Sequence, residues 1–219
     1  MGNVKRSMVF NIIITIFVII AVIMMLTGFK FMRVMLVLSG TKLSVFKFFT
    51  VLSNIFVGIV SLIMVYYEKR YLKSKKKIPH TIYLFKYMAT ASVFLTFFVT
   101  AFFLAPSSSY SYLAFFSNSN LFLHLVIPIL SIFSFVMCEK NDLQFRETFT
   151  ALIPMFLYGI YYSGNILIHL DEGISSKYDW YGFLREDISS IYIVVPTMII
   201  LTYLLGYLLW IGNKKLFNS

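Results

Sequence analysis

The sequence has few charged residues and one cysteine. Asp, Glu, Lys and Arg make up 13% of the 219 residues, whereas soluble domains carry about a quarter. A soluble fold of this length could not hide so much apolar surface from water, so composition excludes an ordinary soluble domain. The lone Cys138 excludes an intrachain disulfide.

The sequence also lacks the common motifs of soluble enzymes. It contains no G-x-S-x-G elbow, no H-E-x-x-H, no Walker loop and no G-x-G-x-x-G. His80, His124 and His169 do not have the spacing of metal ligands. We therefore expect neither a metal site nor a cofactor.

Apolar residues dominate what is present. They make up 59% of the chain, its mean hydropathy is +0.83, and the 24 Phe and 15 Tyr suit membrane spans with aromatic interface belts. The net charge of +10 raises the question of nucleic acid. Because the basic residues lie between apolar runs, they indicate contact with anionic lipid head groups and no nucleic-acid partner.

Six apolar runs approach the length of about 20 residues that a transmembrane helix needs. The first follows Lys5 and Arg6, but it is too long for a signal peptide and no small-residue cleavage site follows it. No linker or internal repeat divides the chain. We predict an all-α polytopic membrane helix bundle, with residues 1–219 as one transmembrane domain. The predicted spans are residues 8–29, 48–67, 82–105, 121–138, 148–168 and 191–211.

The connections differ in charge. Residues 68–80 are predicted as a basic loop, residues 106–120 carry no charge, and residues 169–190 hold five of the nine acids. With the N-terminus inside, the inner segments carry 12 Lys and Arg and the outer segments carry six. This bias predicts a multi-pass membrane protein with both termini in the cytoplasm.

Four of the predicted spans carry small or polar residues along one face. Such stripes are typical of helix–helix contacts, but polar groups inside a membrane are costly and also mark functional sites. Both interpretations are open for the stripes. They are Thr50, Ser53, Asn54, Gly58 and Ser61; Ser92, Thr96 and Thr100; Asn120, His124, Pro128 and Ser131; and Tyr158, Tyr161, Tyr162, Asn165 and His169.

Depth in the membrane singles out a few of these residues. Thr50 and His124 each lie just inside the outer end of a predicted span, and Tyr162 and Asn165 lie near the outer end of another. A hydroxyl and an imidazole at one depth are the minimum for nucleophilic catalysis. Cys138 is 14 residues beyond His124, roughly 21 Å along a helix. It is therefore too far from His124 to be the nucleophile, and Thr50 is the better candidate.

Two short segments resemble the androgen-induced protein family of multipass membrane hydrolases. Lys47-Phe48-Phe49-Thr50, continued as Val51-Leu52-Ser53-Asn54, is similar to the K-F-x-T start of that family's second hydrophobic segment. Asn120-Leu121-Phe122-Leu123-His124, followed by Pro128, is similar to its N-x-x-x-H segment. The T-x-x-S-N form looks closer to a bacterial branch of the family.

The resemblance implies a lipid-ester hydrolase. The animal members hydrolyse fatty acid esters of hydroxy fatty acids with a threonine nucleophile and a histidine. Carried over, Thr50 is the nucleophile and His124 is the base. We then expect the remaining polar residues at this depth to bind substrate, orient His124 or stabilise an oxyanion. These are Ser53, Asn54, Asn120, Tyr162 and Asn165.

Two functions follow from these residues. The first is an intramembrane lipid-ester hydrolase or acyl-transfer enzyme, with membrane lipids or a lipid-like small molecule as its partners. The alternative is a non-enzymatic binder or transporter of a small amphiphile, in which the same polar cluster is a recognition pocket. Transporters often show repeats, and this chain shows none. No acidic third catalytic member is apparent at the depth of Thr50 and His124, and only Asp171, Glu186 or Asp187 of the outer loop could reach that level.

Overall fold

The computed structural model describes residues 2–33, 42–169, 171, 177–182 and 188–217, and every regular element in these ranges is helical. Six helices are long and apolar enough to cross a membrane. The chain is thus an all-helical, multi-pass integral membrane protein, and the predicted fold class is confirmed. The helices are α1 (Gly2–Thr27), α2 (Phe49–Ser74), α3 (His80–Ser107), α4 (Ser119–Met137), α5 (Phe145–Ile168) and α6 (Ile191–Phe217).

The second helix is longer than predicted. It extends to Ser74 and ends where Lys75 turns left-handed (φ 59°) and donates its N–H to the carbonyl of Tyr71. The expectation that residues 68–74 begin a loop was therefore wrong, and only residues 75–79 connect α2 to α3. The apolar run ends before Glu68, but the helix continues because the following residues include Glu, Lys, Arg and Leu, which are good helix formers.

Helix α3 lies at the centre of the bundle, where it packs against α2, α4, α5 and α6. Helix α1 lies against α2 and α4. Gly58 allows the approach of α1 to α2, because a Cβ atom there would lie 2.8 Å from Cγ1 of Val18. Ile14, Val57 and Ile127 are completely buried in the core that α1, α2 and α4 share.

The six helices run back and forth, so their ends fall into two groups. Hydrogen bonds between Ser7 and Glu68, and between Tyr158 and the carbonyl of Lys47, tie neighbouring elements at opposite ends. We call one end of the bundle the terminal end and the other the cavity end. The terminal end gathers Gly2, Ser74, His80, Met137, Phe145 and Phe217, and the cavity end gathers Thr27, Phe49, Ser107, Ser119, Ile168 and Ile191.

Candidate functional site

A cavity of about 420 Å³ opens at the cavity end. Its walls come from the end of α1, the start of α2, the start of α4 and Tyr181. Thr50, Asn120 and His124 all line it. Three residues that the sequence assigned to the site, from two different helices, therefore meet at one cavity. Their chemical roles stay predictions.

His124 is held by Thr100, a residue that the sequence had placed only in a polar stripe. Nδ1 of His124 and Oγ1 of Thr100 are 2.8 Å apart, and both side chains are buried. Each residue belongs to a π-helical turn, Thr100–Leu104 in α3 and Phe122–Val126 in α4. Such turns are frequent at functional sites. With Nδ1 engaged, Nε2 is the ring nitrogen that can meet a ligand.

Thr50 is half-buried in the first turn of α2. Beside it, the N–H of Phe49 donates to the Tyr181 hydroxyl at 2.8 Å, and this hydroxyl also interacts with the side chain of Thr50. Burial raises the pKa of Tyr181, so its side chain is a neutral phenol at physiological pH. Tyr181 was not among the predicted site residues, although it lies beside Trp180 in an acidic loop whose aromatic residues were a signal in the sequence.

Asn54 of α2 links the segment around Thr50 to the segment of α4 that carries His124. It is completely buried, and its amide nitrogen donates to the carbonyl of Thr50 at 2.7 Å and to that of Leu123 at 3.1 Å. A side-chain amide has two N–H donors, so these bonds leave none for an oxyanion. Of the roles expected for Asn54, the arrangement favours the positioning of His124 and Thr50.

Ser53 faces away from the cavity. Its hydroxyl is 3.2 Å from Oγ1 of Thr96 and donates to the carbonyl of Thr50 at 3.1 Å. It lines a second cavity of about 520 Å³ among apolar side chains of α2, α3 and α5, such as Phe56, Met88 and Leu157. The arrangement therefore gives Ser53 a packing role in the wall between the two cavities.

Tyr162 and Asn165, which were expected at the site, do not line the cavity. The Tyr162 hydroxyl donates to the carboxylate of Asp179, and the amide of Asn165 donates weakly to the carbonyl of Tyr178 at 3.4 Å. Both contacts fasten the segment of residues 177–182 to α5, and that segment carries Tyr181 into the cavity. These two residues thus support the cavity wall.

The acids considered for a third catalytic position do not line the cavity within the described residues. Asp171 is exposed, while Glu186 and Asp187 lie outside the described ranges, as does Glu172. Across the ranges that the structure describes, no three His, Cys, Asp or Glu side chains group as metal ligands. The hydroxyl of Thr100, rather than a carboxylate, is the group that contacts Nδ1 of His124.

Comparison with known proteins found no matching family model, no matching curated protein and no matching solved structure. Hydropathy and fold define the class, a multi-pass helical membrane protein with a polar cavity at one end. The resemblance to the androgen-induced protein family stays a prediction that depends on the segments around Thr50 and His124.

Proposed function

We propose that the protein is an intramembrane hydrolase or acyl-transfer enzyme that acts on a lipid ester. One observation carries the proposal. His124, with its ring oriented by the 2.8 Å hydrogen bond to Thr100, lines the same cavity as the hydroxyl of Thr50. A nucleophile, a base and a group that orients the base form the general arrangement of nucleophilic catalysis.

The first half of the proposed reaction acylates Thr50. Nε2 of His124 accepts the proton of the Thr50 hydroxyl while Oγ1 bonds to the ester carbonyl carbon. The tetrahedral intermediate then breaks its bond to the alcohol oxygen, which leaves with the proton from His124. Nε2 can act as a base only if Nδ1 carries the other proton, so Nδ1–H must donate to Thr100.

The second half regenerates the enzyme. Water, or a hydroxyl of an acceptor lipid, gives its proton to Nε2 of His124 and attacks the acyl carbon on Thr50. Thr50 then leaves and recovers the proton. Water yields hydrolysis, and an alcohol yields acyl transfer. Asn120 and Tyr181 line the cavity, and their N–H and O–H groups are the candidate donors to the oxyanion.

Two hydroxyls compete for the role of nucleophile. Thr100 is the one bonded to His124, but only 1% of it is exposed. Thr50 is half-buried and lines the cavity. Because a nucleophile must reach a substrate carbonyl, the proposal assigns attack to Thr50 and positioning to Thr100.

The rest of the cavity lining suits a lipid. Met24, Leu26 and Phe48 supply apolar surface, and the exposed Lys30 and Lys42 supply positive charge. This combination fits a molecule with an apolar chain and a polar or anionic head. It also supports the alternative, a binder or transporter of a small amphiphile without chemistry at Thr50.

The charge bias gives the proposed orientation. Twelve Lys and Arg belong to segments at the terminal end and six to segments at the cavity end, with Lys86 inside α3. By the positive-inside rule the terminal end faces the cytoplasm. The cavity then opens near the outer surface of a cell membrane, and the resemblance favours a bacterial one.

A hydrolysis assay on the purified protein in lipid nanodiscs tests the proposal. Long-chain esters with different head groups are supplied, and the acyl-Thr50 intermediate is sought by mass spectrometry after rapid acid quenching. Ester hydrolysis by the intact protein that is lost in the Thr50→Ala variant would support the proposed enzymatic function. Saturable binding of an amphiphile to the cavity with no turnover would instead establish the alternative function.

A further inference from the structure

A fully buried lysine lies at the other end of the bundle. Lys86 of α3 has no exposed surface, and its ammonium donates to Oδ1 of Asn11 at 2.6 Å and to Oγ of Ser61 at 2.9 Å. Oε1 of Glu139 lies 3.8 Å away. The three acceptors come from α1, α2 and the segment after α4, so the ammonium is surrounded by oxygen atoms.

Two buried carboxyl groups lie in electrostatic range of this one ammonium. Glu139 accepts the hydroxyl of Ser134 on Oε1 at 2.7 Å, and within the described residues its Oε2 has no hydrogen-bond partner. Glu68, only 1% exposed, contacts the hydroxyl of Ser7 and the amide of Asn11. The direct partners of Glu68 in the described residues are thus neutral groups.

The charges of this cluster do not balance as they stand. Two carboxylates and one ammonium leave one excess negative charge in a place shielded from water. Tyr83 of α3 and Cys138 after α4 lie in electrostatic range of both carboxyl groups, and both are neutral in their usual forms at physiological pH. On α1, Arg6 acts on Cys138 from an exposed position.

A buried, unpaired carboxylate is so costly that such a group normally takes up a proton. We propose that Glu68 and Glu139 together bind one proton, which makes the terminal end a membrane-embedded proton-binding site. The proximity of Lys86 to Glu139 favours the proton on Glu68. The hydroxyl of Ser7 and the amide of Asn11 donate to Oε1 of Glu68, and the carbonyl oxygen of a neutral acid still accepts such bonds.

This site is distinct from the cavity. On α2, Ser61 beside Lys86 and Thr50 at the cavity are 11 residues apart, roughly 16 Å along the helix axis. The proton-binding site therefore does not depend on the proposed lipid chemistry. Ionisable groups within transmembrane helices are costly and commonly belong to proton or ion sites, which agrees with this assignment.

Infrared spectroscopy of the full-length protein in lipid at neutral pH tests the proposal. The intact protein should show a carboxylic-acid C=O band that shifts in D₂O. Glu68→Gln should abolish that component, because Glu139 then pairs with Lys86 as an ion. Glu139→Gln should also abolish it, because Glu68 then pairs with Lys86. Lys86→Gln should double it, because both carboxyl groups must then be neutral.

Glu147→Gln is the matched control, because Glu147 is partly exposed and pairs with His80 near the surface of the terminal end. It should leave the band unchanged. A band that keeps its full intensity in both Glu68→Gln and Glu139→Gln, or that is absent from the intact protein, would overturn the proposal. The two single variants keep the cluster neutral, so folding does not limit this test.

Discussion

Oγ1 of Thr100 lies 2.8 Å from Nδ1 of His124, and the two residues occupy π-helical turns of neighbouring helices. If this bond orients the base, Thr100→Val should lower kcat by about fivefold with little change in KM, since one hydrogen bond contributes about 1 kcal/mol. Thr100→Ser should restore the rate. An equal loss in both variants would indicate that Thr100 only packs.

The nucleophile prediction separates Thr50 from Cys138. Thr50→Ala and His124→Ala should each reduce ester hydrolysis by about 100-fold or more, because they remove the nucleophile and the base. Cys138→Ala should keep full activity, since that thiol is buried at the terminal end. The measurement is the initial rate of long-chain ester hydrolysis by the purified variants.

Matched controls come from the terminal end. Thr150→Ala removes another half-buried threonine hydroxyl, and His80→Ala removes an exposed imidazole. Both should hydrolyse the ester at the rate of the unmodified protein. Activity that disappears in Cys138→Ala alone would reject the threonine mechanism, and activity that persists in all variants would favour the binding or transport function.

The buried amide of Asn54 should be more important for stability than the partly exposed amide of Asn165. Asn54→Asp keeps the size of the side chain but loses both donors to the carbonyls of Thr50 and Leu123. Burying an unsatisfied polar group costs about 1–3 kcal/mol, and more for a charged one. We expect a clear fall in melting temperature, measured by thermal unfolding in detergent.

Asn165→Asp is the comparison variant for Asn54. Asn165 is half-buried, and its amide makes one long bond at 3.4 Å to the carbonyl of Tyr178. The melting temperature should fall much less in this variant. A similar fall in the two proteins would argue against a special role of Asn54 in joining α2 to α4.

The orientation prediction uses single cysteines in a Cys138→Ala background. Ser109 is exposed in the connection after α3 at the cavity end, and Lys76 is exposed between α2 and α3 at the terminal end. Ser109→Cys should react with an impermeant maleimide in intact cells, and Lys76→Cys should react only after permeabilisation. The reverse pattern would place the cavity on the cytoplasmic side.

The buried ion cluster predicts an asymmetric effect on stability. Lys86→Met removes the ammonium beside Glu139 and should destabilise the fold by on the order of 3–5 kcal/mol. Glu68→Gln, which imitates a protonated acid, should change the free energy of unfolding little. Unfolding in mixed micelles measures both, and equal stability of Lys86→Met and the parent protein would contradict the charge argument.

The sequence alone determined the class of protein and indicated some of the residues that line the cavity. Runs of apolar residues predict membrane helices because each span must satisfy its own backbone hydrogen bonds in lipid. The depth of a residue follows from its place in a span, so Thr50, His124, Tyr162 and Asn165 were expected at one level. Thr50 and His124 do line one cavity, whereas Tyr162 and Asn165 do not.

Only the tertiary structure decided which side chains meet. The π-helical turns at Thr100 and His124 each add a residue to a helical turn and so rotate the rest of the helix by about 100°, which no local spacing predicts. Tyr181 and the partners of Lys86 come from segments far away in the chain. Such contacts depend on how each helix is rotated against its neighbours, and hydropathy carries no information about that.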